Sequence, residues 1–482
     1  MAWFVDTSTR RWRWGRIRAL TALVGLAAIA WIYLRDESPP DDADMRIAIP
    51  RIPDAENGMA QLGKLDRKTL SFEEFAKAHG VDDAAETNIV EGLARNDTVV
   101  DAYLASAAPA LNQLDALLAL PYFEVAGNQS LKAVEIGHLQ ELGGALDLSH
   151  VLALRAERRA QAGDYAGATD DILRLRHLAQ RFSEGHMYMI HLLTFFALNG
   201  IADTNCVVLL NDKGLPAADL TRLAQAWSVE TPWAETFRRS MMMEYQYMSN
   251  AAQAMKAMDF YHGYEFAIHK LNALPGIRPI GESVWDKPLL LLAYYTMQPN
   301  TTRRLALAIY RQDEHLLDGT YATRPQPPSA SHFSRTFDAM FGLAMPNLIG
   351  RVFVSDLGPN LNSVAKSGFH AMTEDHLVRA GLALRQYYND HHELPPSLGA
   401  LVPQYLAAVP TDSFDGQPLR YDPVKGLIYS VGKNLIDHHG SQYANQPLKA
   451  FEPPWEAFSD DEQPTLELKF AQKTAPAALP AK

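Results

Sequence analysis

The chain has one cysteine, Cys206, in 482 residues. No internal disulfide can form, so stability has to come from core burial. The common catalytic signatures are also missing: there is no Gly-x-Ser-x-Gly, no His-Glu-x-x-His and no Walker loop. Ser363-Val364-Ala365-Lys366 has the Ser-x-x-Lys form but lacks its Lys-Thr-Gly and Ser-Asp-Asn companions. Positive charge is scarce beyond the N-terminus. The formal charge is −12, and the first 34 residues, with five arginines against Asp6, are themselves at +4. The remainder therefore carries −16, which excludes nucleic acid as a partner and disfavours an anionic lipid surface.

What is present begins with an anchor. Arg10, Arg11, Arg13, Arg16 and Arg18 precede an uncharged run from Ala19 to Leu34. Residues 17–34 make about 27 Å of helix, the thickness of a bilayer core. Trp12 and Trp14 on one side, and Trp31 and Tyr33 on the other, suit the interfacial belts. The arginine excess puts residues 1–16 in the cytoplasm and the bulk of the chain outside it. The competing reading is a signal peptide cut after Ala28-Ile29-Ala30, which would strand Trp31 to Leu34 on the mature end.

The rest divides by composition. Residues 35–56, with Ser38-Pro39-Pro40-Asp41-Asp42, read as a stiff, solvated linker, and Asp54 as the cap that opens the folded part. Residues 57–317 carry helical periodicity, and the expectation is a helical domain built from hairpins. Leu152 to Ala162, Gly163-Asp164 and Tyr165 to Phe182 read as one such hairpin, with no second copy at a 34-residue period. Met187 to Leu210 is apolar, but Asp203 within it points to a buried core helix rather than a second span. Met241, Met248, Met255 and Met258 with Tyr245 form a stripe read as core packing, with a Met-rich groove as the alternative. Asp259, His262 and Glu265 form the densest polar-aromatic cluster, with a packed helix end as the plainer reading. His186 and His191, five apart, do not share a helix face. Cys206 reads as an inert core thiol. Residues 318–368 form a Pro-rich connector, 369–445 a small α+β module, and 446–482 a Pro-rich tail in which Leu466 to Phe470 could add an edge strand.

The module carries a resemblance. Tyr387, Asp390 and Pro395 end a helix; Asp412, Gly416, Pro418 and Tyr421 follow; then come Ser430, Gly432, Asp437 and Gly440. In order and type this resembles the C-terminal domain of the major pseudopilin of type II secretion systems. That resemblance implies a small α+β fold and a calcium-holding loop, whose ligands here would be Asp437 and Asn434. Asn434 and His438 stand where the family often has Asp, so Ca²⁺ would be held weakly. More than 300 residues separate the anchor from the module, whereas the family joins them directly. The module therefore reads as reused, outside a pilus subunit.

The expectation is a mainly α protein of the bacterial inner membrane, single-pass, with its bulk in the periplasm. No residue earns a catalytic or cofactor-binding assignment. The leading function class is a scaffold or interaction protein with protein partners in the envelope, associated with secretion or envelope machinery. The alternative is an enzyme acting on envelope polymers from a cleft in the helical domain.

Overall fold

A computed structural model describes residues 7–81, 97–125, 140–257, 295–324, 347–355, 357–440 and 464–468. The chain is mainly helical. The helices are α1 (Thr7–Leu34), α2 (Gly58–Leu62), α3 (Arg67–Leu70), α4 (Phe72–His79), α5 (Asp97–Leu118), α6 (Gln140–Gln161), α7 (Tyr165–Glu184), α8 (Met189–Leu210), α9 (Ala217–Ser228), α10 (Trp233–Ala257), α11 (Pro299–Asp313), α12 (Leu348–Ser355) and α13 (Leu357–His391). Strands β1 (Arg420–Asp422), β2 (Leu427–Tyr429) and β3 (Thr465–Glu467) form one antiparallel sheet in the order β1-β2-β3.

Helix α1 starts about ten residues before the apolar run. Its described apolar side chains are bare: Leu20, Leu23, Val24 and Leu26 are each more than 60% exposed. The opposite holds for α8, the one helix among the described residues long and apolar enough to cross a membrane; the described apolar stretch of α1, Arg18–Ala28, is shorter. It buries Leu192, Phe195, Leu198, Ala202 and Leu210 against α6, α7, α10 and α13. It is the central core helix, as Asp203 indicated. The α6–α7 hairpin also forms as expected, with the Asp164 carboxylate accepting the Gly167 N–H at 3.0 Å to start α7 and Gly163 turning at φ +81°. Met241, Met248 and Tyr245 are core residues.

Three expectations need correction. The stretch read as a solvated stalk is strapped along α11 from end to end. Asp36 accepts the N–H groups of Asn300 and Thr301, supplying the cap that Gln298 does not give α11. Arg304 then binds Glu37 and the Ser38 carbonyl, and Arg311 binds Asp44 and the Asp41 carbonyl. Between them Asp42 is buried against Arg303, Arg46 and the Tyr245 hydroxyl. Local composition suggested solvation because the three arginines that hold the strap lie more than 260 residues away.

Second, the boundary expected between residues 368 and 369 falls inside α13. This 35-residue helix packs on α8, α9 and α11 and also on strands β2 and β3 of the sheet. The helical part and the C-terminal module thus share one hydrophobic core. Third, the expected connector is partly packed structure. Tyr321 and Ala322 donate N–H groups to the Ser413 and Phe414 carbonyls, and α12 lies on α11; residues 325–346 are outside the described set.

The tail segment does add a strand. β3 pairs with β2, placing Leu466 over Gly381 of α13, where a Cβ would stand 3.1 Å from the Leu466 methyls. Alanine at 381 would need those methyls to give by a few tenths of an ångström, and a larger side chain by more.

Candidate functional site

The C-terminal module is organised by Asp412. Its carboxylate is fully buried and accepts from the Phe414 N–H, the Val431 N–H, the Ser430 hydroxyl and the Arg420 guanidinium. Burial raises its pKa above the usual range, against the pull of those bonds. Gly416, Gly432 and Gly440 all have positive φ, which explains glycine at those positions of the motif. The motif residues therefore hold the hairpin and its two flanking turns together.

The expected metal ligands sit in the last of these turns. Asp437 Oδ1 accepts the His439 N–H at 2.7 Å, and Asn434 Oδ1 accepts the Ile436 N–H at 3.0 Å. Each oxygen closes a local Asx turn. Among the described residues no group of three or more His, Cys, Asp and Glu side chains is placed to hold a metal ion. One carboxylate and one amide are a thin donor set for Ca²⁺, which takes six to eight oxygens. Asp259, His262 and Glu265 lie outside the described residues.

Two other arrangements stand out, neither visible as a sequence motif. The first is a groove of about 330 Å³ between α13, the end of α9 and the segment 405–411. His376, Arg379 and Leu382 form its floor, Glu230 stands at one wall, and Ala408 and Val409 form the other. Its size falls at the small end of ligand sites. The His376 ring bonds the Thr411 carbonyl at 2.6 Å, which fixes the wall to the floor.

Behind the floor lies a buried charge network. Arg176, 1% exposed, donates to Asn199 (2.8 Å), Thr231 (3.1 Å) and Asp375 (2.6 Å), with its guanidinium 5.0 Å over the Trp227 ring. Asp375, fully buried, also takes Arg379 at 2.9 Å. Next to it Asp203 accepts the Trp227 indole N–H at 2.7 Å, while its second oxygen has no partner. Burial, reinforced by the Asp375 charge, pushes Asp203 far above the usual carboxylate range. Burial raises the Cys206 thiol as well, in keeping with a core position.

The second arrangement brings together α6, α8 and α10. Glu141 faces His191 at 3.4 Å, and Glu244 accepts the Met189 N–H that begins α8, at 3.1 Å. Tyr188 lies 6.0 Å, ring to ring, from both His191 and Tyr247. The two acids are displaced in opposite directions. Burial raises both, but the His191 hydrogen bond brings Glu141 below its ordinary value, while Glu244 stays raised. His186, five residues before His191, instead pairs with Glu124 at 2.9 Å.

These residues come from helices far apart in the chain, and only their periodicity was legible beforehand. Searches of protein-family models, curated proteins and solved structures find nothing that matches this chain.

Proposed function

We propose that the chain is a single-pass protein of the bacterial inner membrane, with a cytoplasmic N-terminus and its bulk in the periplasm. There it serves as a scaffold or interaction protein of envelope or secretion machinery. The observation that carries this reading is the bare apolar surface of α1 behind five arginines. Leucines and valines left uncovered along a helix need a non-aqueous surrounding. The pseudopilin-like order of motifs in the C-terminal module supports the link to secretion, and the α9–α13 groove offers a docking place for a partner segment.

Alkaline phosphatase fused after Lys482 tests the compartment: activity in the periplasm is expected, and a cytoplasm-active reporter overturns the reading. The interaction is tested in cells by a photo-crosslinking amino acid at Ala408, exposed on the groove lip. A discrete adduct that disappears with Glu230→Arg, an exposed change in the groove lining, is expected; no groove-dependent adduct would remove the scaffold reading.

The Glu141–His191–Glu244 grouping favours a second reading, an enzyme acting on an envelope polymer. Two carboxyls displaced in opposite directions, one raised and one lowered, can divide the roles of acid and base. Hydrolysis of peptidoglycan or a periplasmic glucan, abolished by Glu244→Gln without loss of folding, is the outcome expected of it.

A further inference from the structure

The junction between α1 and the folded body has no slack. In the last turn of α1, the Ile32 carbonyl accepts the Gln298 side-chain amide at 3.0 Å. Two residues beyond the helix, Asp36 caps α11, and the Asn300 amide returns to the Glu37 carbonyl at 2.9 Å. From there to Asp44 the chain is tied along α11 by Arg304, Arg303 and Arg311 in turn. The acidic Asp36 and Glu37 meet the positive end of the α11 dipole, which favours this arrangement.

If α1 spans the bilayer, its last turn lies at headgroup depth. Trp31, 58% exposed, has the Arg35 guanidinium 4.5 Å over its ring, a pairing suited to that layer. The α11 N-terminus is in hydrogen-bond contact with residues 32–37 and so sits at the same depth. Tyr295 is three residues before Gln298, within about 10 Å of it even with the chain extended. It is 59% exposed. A headgroup layer is roughly 5–7 Å deep on each side of the hydrocarbon core.

We infer that the surface formed by Trp31, Tyr295 and the N-terminus of α11 rests on the phospholipid headgroups, so that the body stands on the membrane in one fixed orientation. This rests on the reading of α1 as a span and adds a second, body-borne contact with the bilayer. Tyr295 acts as an interfacial anchor outside the spanning helix. The direction of α11 away from the membrane is then set by the strap, with Asp313 at the far end. Partners would meet a body whose height and facing are constant, which suits a scaffold.

The test uses the full chain in nanodiscs of phosphatidylcholine and phosphatidylglycerol. Cys206 is fully buried, so single cysteines introduced as Trp31→Cys, Tyr295→Cys and Val424→Cys can be labelled with an environment-sensitive fluorophore. Val424, 90% exposed at the hairpin tip, is the water-side control. With headgroup-spin-labelled lipid, quenching at 295 is expected to approach that at 31 and to exceed that at 424 at least threefold. Quenching at 31 but not at 295 would overturn this inference and leave the span intact. Absence of quenching at 31 would overturn the span, and this inference with it. A ten-residue Gly-Ser insert between Leu34 and Arg35 should lift the body and abolish quenching at 295 alone. Quenching that survives the insert refutes the fixed mount.

Discussion

Arg176→Met removes the centre of the network that joins α7 and α8 to α13. Methionine keeps the apolar stem, so the loss is electrostatic and hydrogen-bonding rather than a cavity. Three bonds disappear, to Asn199, Thr231 and Asp375. Asp375 remains fully buried with Arg379 as its ion-pair partner. Removing one partner of a buried pair costs about 3–5 kcal/mol. Because Arg379 keeps part of the charge compensated, the lower end applies, about 3 kcal/mol. That is a large share of the roughly 5–15 kcal/mol that usually separates folded from unfolded chains. In a body of this size it lowers Tm by roughly 5 °C. The assay is urea denaturation of the full chain in detergent, followed by tryptophan fluorescence, since Trp227 lies under the guanidinium. A single transition is expected, because α13 belongs to both halves of the core. The double variant Arg176→Met/Asp375→Leu should recover about 2 kcal/mol, as buried pairs replaced together by apolar residues are often neutral. A loss under about 1 kcal/mol in the single variant, or a double variant equal to the sum of the singles, refutes the reasoning.

Asp203→Asn keeps an acceptor for the Trp227 indole and removes the titrating group. The native carboxyl, with its raised folded pKa, loses stability as pH rises from about 4 towards that value, since only the unfolded state releases its proton. Melting curves should therefore show the variant equal to or more stable than the native chain at pH 7, with the gap closing near pH 4. Asp42 behaves in the opposite sense. Burial would raise it, but the hydrogen bonds from Arg46, Tyr245 and Arg303 hold it far below the usual range. Its stabilisation is complete above about pH 4 and fades as pH falls towards the folded value. Asp42→Asn should cost about 3 kcal/mol at pH 7 by chemical denaturation, and progressively less in acid. For the loop after Val431, Asn434 and Asp437 each commit one side-chain oxygen to an Asx turn, so melts in millimolar calcium and in chelator should coincide. A calcium-dependent rise in Tm that Asp437→Ala removes would establish the site that the resemblance implies.

Much of the helical framework was legible locally. A hairpin marked by Gly163-Asp164, a core helix betrayed by Asp203 and an alternating Leu466-Glu467-Leu468 each depend on neighbours within a few residues. So does the apolar, arginine-led α1. The strap was misread for the complementary reason. Ser38-Pro39-Pro40-Asp41-Asp42 has the composition of a solvated stalk, and only Arg303, Arg304 and Arg311 turn it into packed structure. The same holds for α13, where a continuous helix runs through a position that composition suggested as a boundary.

Helical periodicity and the turn glycines follow from short-range sterics and the placement of apolar side chains, so the sequence alone determined them. The pairings that give the molecule its candidate sites are of another kind. Arg176 reaches Asp375 across 199 positions and Asp42 reaches Arg303 across 261, while Glu141 and Glu244 arrive on different helices. A buried charge is tolerated only where a partner meets it after water has been excluded, and no local pattern encodes which distant residue that will be. The fold's packing chose those partners, and with them the burial of Asp203, the groove behind α9 and the fixed seat of α11 beside the end of α1.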